Sequence, residues 1–183
     1  MTTKMKKSIM LGFLLSVCVG IILYFIYELS HYNRIVGLFA PINESPWEQM
    51  KLFFFPFLLF TIILYFSTKR NSKNILFINS VSIVCGMLLA LILYYTLFGA
   101  FGLKSPFINL GIYVICSAVT YILCACFFKN HTFSGNNTFG LLIFVLLLLA
   151  FILFTFMPPR VPLFQDETTN SFGLIHEQQM EEQ

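Results

Sequence analysis

Between residues 28 and 51 the chain gathers side chains well suited to chemistry: Glu28, His31, Arg34, Asn43, Glu44, Glu48, Gln49 and Lys51. Glu28 and His31 are three apart, so a helix continuing through both puts them on one face. Glu44, Glu48 and Lys51 follow at spacings of four and three, along one side of a second helix. A pocket of carboxylates, one imidazole and two cations suits three kinds of chemistry. Carboxylate oxygens bind hard cations, an acid and base can exchange protons with a substrate, and mixed charges can anchor a lipid headgroup. Folding alone explains part of the same set. Ser45-Pro46-Trp47-Glu48 reads as a capping box, with Ser at the N-cap, Pro at the first helical position and Glu at the third. Glu44 is an acid at a positive helix end, and Lys51 can run its stem to the membrane interface. Glu28 differs, because an ionisable residue at the lip of an apolar helix is costly to keep. His31 is a single imidazole without the paired histidines usual at a zinc site, so no metal is expected. The candidate ligand-binding set is Glu28, His31, Asn43, Glu44, Trp47, Glu48, Lys51 and, from the tail, Asp166. No catalytic residue or cofactor is assigned.

The elements that must position these residues are transmembrane helices. Charged residues are 10% of the chain and hydrophobic ones 58%, a balance suited to lipid rather than water. The apolar residues fall into five runs, 9–27, 46–66, 75–98, 106–128 and 139–156, each close to the roughly 20 residues that cross a bilayer. The expectation is an all-α bundle of five transmembrane helices over residues 1–159, with a polar extracellular tail over 160–183. Lys4, Lys6 and Lys7 precede a long apolar run without a small-residue cleavage site, which reads as an uncleaved first helix. Placing the N-terminus inside puts Lys4, Lys6, Lys7, Lys69, Arg70, Lys73 and Lys129 on the cytoplasmic side and Arg34, Lys51, Lys104 and Arg160 outside. Seven inner cations against four outer ones favour that orientation and a C-terminus outside. All eight acidic residues then lie on the outer side: Glu28, Glu44, Glu48, Asp166, Glu167, Glu177, Glu181 and Glu182. The net charge of +3 comes with no long basic run, which excludes a nucleic-acid partner.

Other features read as packing. Pro56 removes a backbone donor from the second span and predicts a kink. Cys18, Cys85, Cys116, Cys124 and Cys126 lie in apolar runs as small hydrophobes. Asn79, Ser80, Ser82, Asn109, Ser117 and Thr120 are expected to hydrogen-bond between helices, and Gly86, Gly99, Gly102 and Gly111 to allow close approach. Trp47 and Phe107 are expected at the outer interface. Beyond Lys51 and the margins the spans carry no Asp, Glu, Lys, Arg or His, which argues against a pump. In the tail, the apolar island 161–164 can fold back onto the outer mouth, carrying Asp166 and Glu167 over the pocket, while His131 and His176 read as solvated polar residues.

The stretch from Val36 to Pro56, with Asn43-Glu44-Ser45-Pro46-Trp47-Glu48 at its centre, resembles the signature of a family of small bacterial integral membrane proteins catalogued as a domain of unknown function. Pro158-Pro159, Pro162-Leu163-Phe164-Gln165-Asp166 and Phe172-Gly173 resemble that family's C-terminal motif. The resemblance implies a multi-pass protein of the bacterial cytoplasmic membrane and no particular activity. The family's pattern carries a histidine after the Trp-Glu pair, where this chain has Gln49, and another near Tyr24. A histidine-based site is therefore not implied. The expected role is binding of a small or lipidic molecule at the outer face, with membrane lipids as surroundings. The alternatives are a membrane-embedded hydrolase or transferase using the outer carboxylates, and an accessory subunit with a membrane-protein partner.

Overall fold

The computed structural model describes residues 3–68, 74–102, 105–130, 133, 135–166 and 168–173. Lys69, Arg70, Lys73, Lys104, His131, Glu167, and the tail from residue 174 onward with His176, Glu177, Glu181 and Glu182, lie outside the described residues. The helices are α1 (Thr3–Leu29), α2 (Arg34–Gly37), α3 (Pro46–Gln49), α4 (Lys51–Ser67), α5 (Ile75–Tyr94), α6 (Pro106–Lys129) and α7 (Asn137–Phe156). A π-helical segment, Tyr95–Ala100, extends α5, and a 3-10 turn, Pro162–Phe164, follows α7. Five helical stretches are long and apolar enough to cross a membrane: Met5–Leu29, Pro46–Ser67, Ile75–Ala100, Phe107–Lys129 and Asn137–Phe156. They coincide with the five apolar runs of the sequence.

α5 packs against α4, α6 and α7, while α1 packs against α4 and α6. Aromatic rings fill the interior: Phe54 lies 4.8 Å from Phe151, and Tyr121 sits 5.0 Å from both Phe57 and Phe60. The bundle's perimeter is apolar as well, with Leu14, Ile92 and Leu149 among many aliphatic side chains more than half exposed. Water would not tolerate so large an apolar surface, whereas hydrocarbon matches it.

Two close approaches fix the helix pairs. Pro56 cannot donate to the Leu52 carbonyl, and that carbonyl faces Gly20 of α1, where a Cβ would sit 2.7 Å from it. Tyr113 of α6 closes the same point, donating its hydroxyl to the Ser16 carbonyl at 2.6 Å. Gly140 of α7 lies against the backbone of Leu76 and Phe77 on α5. Gly86 abuts Thr120, but a Cβ at Gly99, Gly102 or Gly111 would meet no other element within 4 Å among the described residues, so close approach does not occur at those three. Of the expected interhelical polar groups, Asn79 links three helices, donating to Thr61 and accepting from the Cys124 thiol. Ser80, Ser82 and Thr120 instead donate to carbonyls of their own helices, which relieves the hydroxyl locally without a neighbour.

At one end of the bundle α1 stops at Leu29, because His31 and Tyr32 adopt left-handed backbone at φ of 52° and 59°. The helix therefore does not continue to align His31 with Glu28. The chain turns into α2, whose N-cap Asn33 accepts from the Ile35 amide at 2.8 Å. The loop that follows returns to α3, close to where α6 begins and the tail lies back.

Candidate functional site

The loop before α3 is held by polar groups that the sequence places close together. Ser45 caps α3, accepting from the Glu48 amide at 3.4 Å. The reciprocal half of a capping box is missing: the Ser45 amide donates to Asn43 Oδ1 at 3.0 Å, and the Glu48 carboxylate turns elsewhere. Glu48 Oε2 accepts from the Ile42 amide at 3.0 Å and from Lys51 Nζ at 2.6 Å. Lys51 does not run its stem out to a surface. Its side chain is fully enclosed, and Nζ also donates to the Gly37 carbonyl at 2.8 Å and to Thr155 Oγ1 at 2.7 Å. A buried ion pair needs such further hydrogen bonds to offset desolvation, and this one ties the 37–42 loop, α3, α4 and α7 together.

That brace presents Glu44 on its other side. Glu44 Oε1 accepts from the Tyr24 hydroxyl at 2.9 Å, and Oε2 accepts from Gln49 Nε2 at 2.7 Å and Asn109 Nδ2 at 2.8 Å. One carboxylate thus joins α1, α3 and α6 through three neutral donors. Burial pushes the Glu44 carboxyl above its usual range, the Tyr24 and Asn109 donors pull it back, and nearby Asp166 and Glu28 push it up again.

Glu44 lines a cavity of about 520 Å³, within the usual range for small-ligand sites. α1 contributes Tyr24, Phe25, Tyr27 and Glu28, with Tyr32 just beyond it; the loop contributes residues 41–44, and α3 contributes Gln49. The tail supplies the rest through Asp166 and Thr168. It is docked there by Asn43 Nδ2, which donates to the Gly173 carbonyl at 3.2 Å, and by the Glu44 amide, which donates to Asp166 Oδ2 at 3.4 Å. Asp166 is buried, and its Oδ1 accepts from the amide and hydroxyl of Thr168 at 2.7 and 2.6 Å. Trp47 secures the tail from below the cavity, its ring packed on Phe151, Phe154 and Phe164 at 4.8 to 5.5 Å.

Of the residues singled out from sequence, Glu28, Asn43, Glu44 and Asp166 meet at the cavity. Glu48 and Lys51 bond each other beside it, Trp47 packs under it, and exposed His31 is not among its lining residues. Tyr24, Tyr27 and Asn109 were not expected at this place. The spacing of Tyr24, Tyr27 and Glu28 is a one-face helical pattern that could have marked the two tyrosines; nothing local marks Asn109. No three His, Cys, Asp or Glu side chains among the described residues are disposed to hold a metal ion.

No curated protein and no solved structure matches the chain. Residues 1–174 match the model of a family of unknown function (DUF6512). That match spans nearly the whole sequence, and the chain belongs to this family of unknown function.

Proposed function

We propose that this is a multi-pass protein of the bacterial cytoplasmic membrane, with its N-terminus inside and C-terminus outside, that binds a small or lipidic molecule in the cavity at its outer face without transforming it. The observation that carries this reading is the cavity itself. About 520 Å³ of space is walled by four separate parts of the chain and centred on a carboxylate fixed by three donors. A group held that firmly presents a defined surface to a ligand. Orientation rests on the excess of inner lysine and arginine, as short loops retain them on the cytoplasmic side. Native mass spectrometry of protein extracted in mild detergent tests the reading: a bound small molecule or lipid is expected, depleted in Glu44→Gln. Absence of any adduct from protein and membrane extracts counts against it.

One observation favours a second reading, a hydrolase or transferase. A carboxyl pushed upward by burial resembles a general acid or base tuned towards neutrality. In that case Glu44→Gln abolishes turnover of a lipid substrate while leaving binding intact.

A further inference from the structure

Resting on the binding reading above, we infer that the cavity takes an organic ammonium group, a protonated amine carrying N–H donors, whether free or at the head of a lipid. The charge of the walls is one-sided. Glu28, Glu44 and Asp166 line the cavity, and among the described residues no lysine or arginine does. Lys51, the cation in the nearest brace, has its Nζ donors committed to Glu48, Gly37 and Thr155. A phosphate, carboxylate or sulfate entering here would meet acids with no paired cation, an arrangement that strongly disfavours burial of an anion.

The aromatic walls point the same way. Tyr24, Phe25, Tyr27 and Tyr32 line the same cavity, and the negative faces of such rings attract ammonium ions. A bare metal ion is a poor match, because the described acids form no metal-holding group and the space is far larger than one ion.

Independent of the acids, the wall offers neutral acceptors. Tyr27 lines the cavity as well, and its hydroxyl oxygen can accept there. Gln49 lines the cavity too, and its Oε1 is enclosed without a hydrogen-bond partner among the described residues. Buried polar atoms are seldom left so. A protonated amine can supply hydrogens to both kinds of acceptor; a quaternary ammonium cannot. Glu28 stands at the mouth, exposed and with no ion pair among the described residues, as an entry charge.

The test uses full-length protein in nanodiscs of phosphatidylglycerol, titrated with ethanolamine and with its neutral isostere ethylene glycol, followed by calorimetry. Saturable binding of ethanolamine is expected, at least tenfold tighter than ethylene glycol or the anion phosphoethanol, and weakened roughly tenfold in Glu44→Gln. Glu28→Gln, which disturbs no hydrogen bond, guards against misfolding and should weaken binding by about threefold or more. A parallel arm replaces half the phosphatidylglycerol by phosphatidylethanolamine. If ethanolamine binding is then lost through competition, the amine comes from the lipid headgroup; if it persists unchanged, from a free amine. Equal binding of the neutral or anionic probe overturns the ammonium assignment but leaves a ligand site standing. No binding of any probe, with native mass spectrometry showing an anionic or neutral adduct, also overturns it. No binding with no adduct at all fails the underlying binding reading instead.

Discussion

Lys51 is the side chain whose environment departs most from its chemistry, a fully enclosed cation beside a carboxylate 3% exposed. Removing one partner strands the other charge, so Lys51→Met and Glu48→Gln should each destabilise the protein by about 3–5 kcal/mol, while the Glu48→Leu, Lys51→Met double substitution should be much milder. Thermal unfolding in detergent checks this, and equal losses for single and double variants would contradict the brace. Glu44 makes a prediction of different sign. Its carboxyl holds the proton more tightly in the folded protein than its ordinary value near 4.5 allows. The associated stability is full below that value and fades as pH rises through the folded one. The melting temperature should therefore decline with rising pH across that window, and Glu44→Gln should flatten the decline. Local sequence marked Glu48 as a cap and Lys51 as a snorkelling residue because capping and snorkelling are short-range habits. Their actual partners, Ile42 and above all Thr155, over 100 positions away, leave no short-range trace.

At the level of elements, glycine positions divide sharply by what they face. A methyl at Gly140 would enter the backbone of α5, so Gly140→Ala should separate α7 from α5 and reduce the folded yield seen by size-exclusion chromatography. Gly111 faces open space, and Gly111→Ala should be neutral or stabilising by up to about 1 kcal/mol through helix propensity. Similar yields for the two would contradict the packing described. The five long helices were legible because run length and hydropathy answer directly to bilayer thickness. The end of α1 was not, since His31 and Tyr32 reverse the chain in left-handed backbone that neither residue type announces. That stop removes His31 from the face of Glu28 and leaves the tyrosines of α1 as the cavity's wall.

Across the whole molecule, the cavity exists only because distant parts of the chain return to one end of the bundle. Asp166 and Thr168 come from the tail, Asn109 from α6, Tyr24 and Glu28 from α1. That Glu28, Glu44, Glu48 and Asp166 come to one end of the bundle follows from charge and span number. Which of them meet does not, because the meeting depends on Asn43 and Trp47 docking the tail. Trp47→Ala should loosen that dock, raising the hydrogen exchange of the 165, 166 and 168–173 amides while leaving the five long helices protected; unchanged exchange would contradict the clamp. We propose that this cavity opens on the outer side of a five-span bundle. It is tested most directly by membrane-impermeant thiol labelling of intact cells, with Glu28→Cys, Thr169→Cys and Ser67→Cys placed singly in a cysteine-free background. Labelling of the first two, with Ser67→Cys reacting only after permeabilisation, is the expected result. Labelling of Ser67→Cys in intact cells, with Glu28→Cys and Thr169→Cys silent, would contradict that orientation.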